Sequence, residues 1–174
     1  MNMKKIGLLA AGLVLAAVVC VAQDPFSFIH GTIKKVDDAT KTVVVKTADG
    51  TEHVIKYTGD TTVKGTKDGF DGLKDGTEVV VRTTGKGADE TATEVGKVSK
   101  DGLKATKGTI EKFDAGTKTV VIKTADGTEK TFELSGKAVE DAGKATGKGV
   151  AKGAKVTVYY TEEGGKKTAH FIAS

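Results

Sequence analysis

The chain contains the same unit twice, and this duplication is the feature that most constrains its fold. Residues 31–97 and 108–174 align without a gap at an offset of 77 positions. The stretch GTIKKVDDATKTVVVKTADGTE (31–52) returns as GTIEKFDAGTKTVVIKTADGTE (108–129), with 17 of 22 positions identical. Over the 67 aligned positions 27 are identical, so the later parts have diverged but kept register.

A repeat of this length is a whole domain, longer than the usual solenoid unit. The duplication therefore predicts the domain boundaries. We expect an N-terminal tail (23–30), a first repeat (31–98), a linker (99–106) and a second repeat (107–174).

Residues 1–22 have the pattern of a secretory signal peptide. Lys4 and Lys5 precede 17 apolar or small residues (6–22), and Cys20 and Ala22 form a small-x-small cleavage pattern. The sequence therefore predicts export to the periplasm or beyond the cell. Two alternatives remain open: an uncleaved anchor, since the run is at the bottom of the membrane-spanning range, and lipidation at Cys20, which the β-branched Val19 disfavours.

The mature chain that this cleavage would leave has no cysteine, so its stability depends on burial and not on disulfides. Without Lys4 and Lys5 it has 25 basic and 23 acidic residues, and the net charge falls from +4 to +2. Arg82 is the only arginine, whereas lysine lacks the bidentate fork suited to phosphates and bases. This composition argues against a nucleic-acid partner.

Short valine-rich segments predict five strands in each copy. They are expected at 31–36, 41–48, 51–57, 77–84 and 90–98, and at 107–113, 118–125, 128–134, 154–161 and 167–173. Asp49-Gly50 and Asp126-Gly127 predict two-residue type I′ hairpins. Between the third and fourth strands, we expect a Gly-rich connector at 65–76, held by Phe70 and Leu73, and a weak helix at 136–149.

The predicted fold class is all-β, with two tandem five-stranded small barrels. A helix or connector between strands three and four is typical of an oligonucleotide/oligosaccharide-binding-type (OB-like) barrel, and closure removes exposed strand edges. An SH3-like barrel and a five-stranded sandwich are the alternatives.

The string G-T-I-x-x-V/F-D followed by T-K-T-V-V-V/I-K-T-A-D-G-T-E resembles an exported bacterial family of small β-barrel domains of unknown function. The layout is also similar, more distantly, to periplasmic copper-binding barrels of metal-efflux systems. Those barrels use a His, two Met and a Trp, whereas this chain has only Met1 and Met3 and lacks Trp. The resemblance therefore implies a barrel fold without implying copper binding.

Few residues qualify as ligands or catalysts. His30 and His170 are candidate metal ligands only if the barrels bring them together, and no histidine is duplicated between the copies. His53 is expected at a barrel rim. The acids of 68–75 fall at positions 1, 4 and 8, which does not fit a calcium loop.

Arg82 and Tyr159 occupy the same position of the two copies, on the outward phase of the fourth strand. Tyr and Arg are favoured at interfaces, so they form a candidate interaction surface. The alternative is that Tyr159 covers a junction between the barrels.

The sequence thus predicts a non-catalytic exported binding or structural module, interacting with an unknown protein or envelope partner. A periplasmic metal or small-ligand carrier is the alternative. No catalytic grouping is recognisable, so we expect no enzyme activity and no cofactor, and a monomer without a membrane span in the mature chain.

Overall fold

The structure is a computed structural model that describes residues 26–145 and 153–174. The predicted signal peptide and the end of the predicted helix lie outside these residues. The first copy forms β1 (Ser27–Asp37), β2 (Thr42–Thr47), β3 (Glu52–Lys56), β4 (Thr62–Lys64), β5 (Glu78–Thr84) and β6 (Thr91–Lys97). The second forms β7 (Lys104–Asp114), β8 (Thr119–Lys123), β9 (Glu129–Leu134), α1 (Gly136–Ala145), β10 (Lys155–Glu163) and β11 (Lys166–Ala173). The all-β class is confirmed.

Strand order is the same in the two copies. In the second copy β7, β8, β9, β11 and β10 form a closed barrel, with a parallel pairing between β9 and β11. In the first copy β3, β2, β1, β5 and β6 follow the equivalent order within a six-stranded sheet. A single parallel pair, Lys56–Thr91, joins β3 to β6, so this barrel is less completely closed than the second. The short β4, which was not predicted, extends this sheet beside β6.

The first strand of each copy bends so that it can pair on both sides. β1 pairs with β5 through residues 27–32 and with β2 through residues 31–37, and a register shift falls between Ile33 and Lys35. Bulges of this kind increase twist and help sheets to close. Gly31 lies at the crossover, where a Cβ would be 2.4 Å from the Lys46 carbonyl oxygen. Gly108 has the same role, with 2.5 Å to the Lys123 carbonyl oxygen.

Each barrel interior is filled by apolar side chains. The first core comprises Ile29, Ile33, Val43, Val45, Ile55, Tyr57, Leu73, Val79, Val81, Ala92 and Val95. The second comprises Ile110, Val120, Ile122, Phe132, Leu134, Ala138, Ala142, Val156, Val158, Tyr160, Ala169 and Ile172. Both interiors are therefore packed cores.

The elements between strands three and four differ, as predicted. In the first copy Leu73 is buried and Phe70 stacks on Tyr57, with ring centroids 4.0 Å apart. In the second copy α1 buries Ala138 and Ala142 against the barrel.

Three local expectations differ from the structure. β1 begins at Ser27, so residues 27–30 of the predicted tail belong to the strand. β7 begins at Lys104, within the predicted linker. The type I′ hairpins are wrong: Gly50 has a φ of 91°, whereas Asp49 has no positive φ. The Asp49 carboxylate instead accepts hydrogen bonds from Thr47 Oγ1 and the Thr51 amide, which holds it in a negative-φ turn position.

α1 is too short to cross a bilayer, and the part of the chain that the structure describes contains no membrane-spanning helix.

Candidate functional site

Two grooves occupy matching places on the outside of the two copies. The first groove has a volume of about 430 Å³, and the second of about 520 Å³. Eight of the nine residues lining the first groove have their repeat counterparts in the lining of the second. The duplicated backbone therefore builds the same concave surface twice.

A three-strand row of side chains crosses each groove. In the first groove, Thr32 of β1 pairs with Lys46 of β2 on one side and with Glu78 of β5 on the other. Residues that pair across strands point to the same face of a sheet, so the row runs Lys46–Thr32–Glu78.

The second groove carries the equivalent row with a different charge. Thr109 pairs with Lys123 of β8 and with Lys155 of β10, which replaces Glu78. The histidine of the first groove is also replaced in the second. His30 Nε2 lies 2.8 Å from Glu78 Oε1 in the first groove, whereas Lys107 stands at the histidine position in the second. The first row is thus of mixed charge and the second is cationic.

A third hydrophobic cluster joins the two barrels, and we call it the barrel junction. Val80 from the outer face of β5 meets Leu103, Tyr159 and Phe171, all less than 5 % exposed. Phe28, Val98 and Ala173 pack around them. Tyr159 and Phe171 are edge-on, with centroids 6.4 Å apart, and Phe28 is edge-on to Phe171 at the same distance.

The predicted interaction residues are buried at or beside this junction. Tyr159 is 4 % exposed and Arg82 is 3 % exposed, so neither forms the free surface that the outward strand phase predicts. The alternative, in which Tyr159 covers the contact between barrels, is what the structure shows. Burial is also the main cause that raises the pKa of the Tyr159 hydroxyl, with the Glu78 charge second.

Arg82 is held by the helix of the other copy. Its Nη2 lies 2.8 Å from Asp141 Oδ1 and 3.3 Å from Glu140 Oε2, and its Nη1 donates to the Lys137 carbonyl oxygen at 3.4 Å. The short contact to Asp141 is an ion pair without hydrogen-bond geometry. Arg82 also lies over the Phe26 ring, 3.9 Å from its centroid, which is a cation–π arrangement.

Two buried carboxyl groups face this arginine. Burial raises the pKa of Asp141 to about 7, although the Arg82 charge and the Ile172 amide, which donates to Asp141 Oδ2, act in the opposite direction. Glu94 pairs with Arg82 across β5 and β6, is 3 % exposed, and has a pKa raised by burial. Its Oε2 accepts no hydrogen bond from the described residues. This charged cluster and the barrel junction together bind the copies to each other.

The histidines contact different groups. His30 is exposed and pairs with Glu78, and its ring centroid lies 5.8 Å from that of Tyr159. His170 is half-buried, with Nε2 2.9 Å from Thr161 Oγ1, and burial lowers its pKa. His53 Nδ1 lies 3.6 Å from Glu90. Among residues 26–145 and 153–174, no group of three or more His, Cys, Asp or Glu is placed to hold a metal ion.

Sequence reasoning missed both the charged cluster and the grooves. A signal for the former was present in the sequence of β5, where three valines (79–81) follow one another without a polar residue between them, and the structure buries all five residues from Val79 to Thr83. An uninterrupted run of this kind is typical of a strand covered on both faces. The grooves had a weaker signal: the strings GTI (31–33 and 108–110) and KTADG (46–50 and 123–127) are identical in the two copies.

No protein-family model matches the chain, and comparison with curated proteins finds no match. Among solved structures, the chain is similar to silver-bound CusF, at 17 % identity and a TM-score of 0.34, over 43 % of this chain and 99 % of that one. It is also similar to residues 10–88 of CusF–Ag(I) from Escherichia coli, at 15 % identity and a TM-score of 0.36, over 45 % and 98 % of the two chains. Residues 6–88 of apo-CusF from Escherichia coli are similar at 16 % identity and a TM-score of 0.37, over 47 % of this chain and 98 % of that one. The chain is thus distantly similar in layout to small barrels of less than half its length.

Proposed function

We propose that this chain is a non-catalytic exported binding or structural module that holds a protein or envelope partner on the outside of its barrels. The observation that carries the proposal is the recurrence of one outer groove at repeat-equivalent positions. The barrel interiors are filled by side chains, which leaves the outer surfaces for recognition. Export is part of the proposal on the pattern of residues 1–22.

The barrel junction supports a structural use of the pair. Its side chains are buried as completely as those of the two cores, and the 2.8 Å contact between Arg82 and Asp141 joins β5 to α1. Two barrels attached in this way present their grooves at a fixed separation, which favours a partner large enough to contact both.

The test fills both grooves with large side chains and measures whether binding of a partner is lost. Thr32→Trp with Thr109→Trp places a large ring in the middle of each three-strand row. The matched control is Val54→Trp with Thr131→Trp, two exposed repeat-equivalent positions outside the groove linings. Each protein is used as bait for envelope extracts, and affinity for any recovered partner is measured by calorimetry.

We expect the unmodified chain and the control to retain the same partner and the groove-filled variant to lose it. Equal binding by all three proteins contradicts the assignment to the grooves. The proposal assigns no reaction to the chain, so turnover of a substrate by purified protein contradicts it as well.

A small-ligand or metal carrier is the second candidate. The groove volumes lie within the range of small-molecule sites, which is about 300–1,000 Å³. Calorimetric titration with copper, zinc, nickel and calcium decides the metal part, since a carrier must show at least micromolar affinity. If none of the four ions gives a binding heat, the metal-carrier hypothesis is excluded and the binding-module proposal is unaffected.

A further inference from the structure

The second groove has a charge pattern that its own duplicate lacks. Lys123 and Lys155 flank Thr109 from two sides, and Lys107 lies two residues along β7 from Thr109, on the same face. With strands spaced about 4.8 Å apart, the two flanking Cα atoms are about 10 Å apart. Three lysines therefore flank one threonine on a concave surface.

These lysines have no ionic partners among the residues that the structure describes. Other lysines of the same barrel do pair, such as Lys104 with Glu162 at 2.8 Å and Lys166 with Glu133 at 2.7 Å. Glu111 is the acidic side chain in the lining, and it makes no contact within ion-pair distance of Lys107, Lys123 or Lys155. The positive charge of this groove is thus left for a ligand to neutralise.

The first groove is the internal comparison. Glu78 stands where Lys155 stands in the second groove, and it accepts the contact from His30 at 2.8 Å. The backbone, the central threonine and Lys46 are retained, whereas Glu111 replaces Lys34 in the second lining. The second lining therefore has three lysines and one acidic residue, and the first has two lysines, one acidic residue and His30. The chain has a formal net charge of +4, or +2 without residues 1–22, so three lysines in one groove that have no ion pair within the described residues indicate a local preference for anions that the overall composition does not show.

We propose that the second groove binds a small ligand carrying two or more carboxylate or phosphate groups, and that the first groove does not. This rests on the proposed function, in which the grooves are the binding surfaces. The spacing of the lysines suits anionic groups on opposite ends of the ligand, with Thr109 available to donate a hydrogen bond between them. Ala125 and Ala173 add apolar surface to the groove for a carbon frame.

The test uses the full exported chain with citrate and inorganic pyrophosphate as probes. Binding is followed by amide chemical-shift changes and by calorimetry at low ionic strength, where surface charge is least screened. We expect saturable shifts at Thr109, Lys123 and Ala125, and none at their counterparts in the first groove.

Two reciprocal variants and one control decide the assignment. Lys155→Glu gives the second row the charge of the first, and we expect affinity to fall about tenfold or more, because local charge changes by two. Glu78→Lys makes the reverse change, and we expect a new binding event with shifts at Thr32 and Lys46. Lys112→Glu makes the same charge change at an exposed β7 position outside the groove, and we expect affinity within about twofold of the unmodified chain.

Equal weakening by Lys155→Glu and Lys112→Glu would show diffuse surface attraction and overturn the inference. So would failure of Glu78→Lys to create binding, or absence of binding by the unmodified chain. If anions fail to bind while the groove-filled double variant still loses its recovered partner, the proposed function stands and only the ligand class is wrong.

Discussion

The strongest quantitative prediction concerns Asp141, the buried carboxyl group opposite Arg82. Its pKa is raised by burial to about 7 in the folded chain, against an ordinary value of 3.8. The folded state therefore holds a proton that the unfolded state has released, so stability falls as pH rises between these values. Each pKa unit corresponds to about 1.4 kcal/mol, which gives about 4 kcal/mol in total, of which about 3 kcal/mol falls between pH 5 and pH 8.

Asp141→Asn removes this titration while keeping the shape of the side chain. We expect the melting temperature of the unmodified chain to fall by about 5–10 °C more than that of the variant between pH 5 and pH 8. Thermal unfolding by circular dichroism at half-unit pH steps measures the two slopes. The comparison rests on slopes, because the variant also deprives Arg82 of its nearest counter-charge and so changes absolute stability.

The comparison between the unmodified chain and Asp141→Asn distinguishes the titration of Asp141 from that of the neighbouring groups, because those groups are present in both proteins. Glu94 and Glu140 face Asp141 and raise its pKa, Arg82 lowers it, and all three remain in the variant. His170 acts in the opposite direction, because its lowered pKa makes stability fall as pH falls below about 6.5. It too is present in both proteins. The control is Glu140→Gln, which removes a contact to Arg82 from a side chain that is 69 % exposed. We expect Glu140→Gln to keep most of the pH slope of the unmodified chain, because Glu140 makes the smallest of these contributions to the raised pKa of Asp141.

Equal slopes for Asp141→Asn and the unmodified chain would refute this reasoning. That result would mean that the Arg82 charge outweighs burial and keeps Asp141 ionised throughout the pH range.

Three further substitutions test the packing and the backbone, and chemical denaturation measures each. Gly96→Ala should destabilise by about 1–3 kcal/mol, because its Cβ would lie 2.4 Å from Leu103 Cδ1 and 2.7 Å from Phe171 Cε2 in the barrel junction. Lys118→Gly should stabilise by about 1 kcal/mol, because Lys118 has a φ of 52°, which costs L-residues about 1–2 kcal/mol. Gly143→Ala should stabilise by about 0.5–1 kcal/mol, because no atom lies within 4 Å of the added Cβ and α1 gains a better helix former.

Each of these predictions has a simple control. Gly116→Ala meets only Asp114 Oδ1 at 3.4 Å, so a loss equal to that of Gly96→Ala would argue against packing at the junction as the cause. Lys118→Ala keeps the Cβ and should bring no gain. A loss of stability in Gly143→Ala would show that the helix requires glycine there.

The alternating valines predicted the barrels because their burial is decided within each copy. Val43 and Val45 are fully buried while Val44 between them is not, as a two-residue period requires. The helix at 136–149 was placed correctly at its start because the spacing of Val139 and Ala142 is also a local property. The type I′ turn failed because Asp49 has side-chain partners in Thr47 and Thr51, which a dipeptide preference does not include.

The junction was beyond sequence reasoning because it depends on how two folded units meet. Strand phase placed Arg82 and Tyr159 on the outward side of their own barrels, and this placement is right within each barrel. The outward side of one barrel is, however, an inward side once the other copy packs on it. Leu103 shows the same effect, since the predicted linker residue is fully buried.

The junction also accounts for where the two copies diverged. Of the first 22 aligned positions 17 are identical, whereas the remaining 45 contain 10 identities. The divergent part supplies the contact elements: Arg82 pairs with Glu94 across β5 and β6, and at the same positions of the second copy Tyr159 pairs with Phe171. One copy thus offers a charged pair and the other an aromatic pair. Two copies that both carried the Arg–Glu pair would bury twice as many charges at the contact, each at a desolvation cost. Divergence there is what an asymmetric contact requires, whereas the strands that build the grooves were free to stay alike.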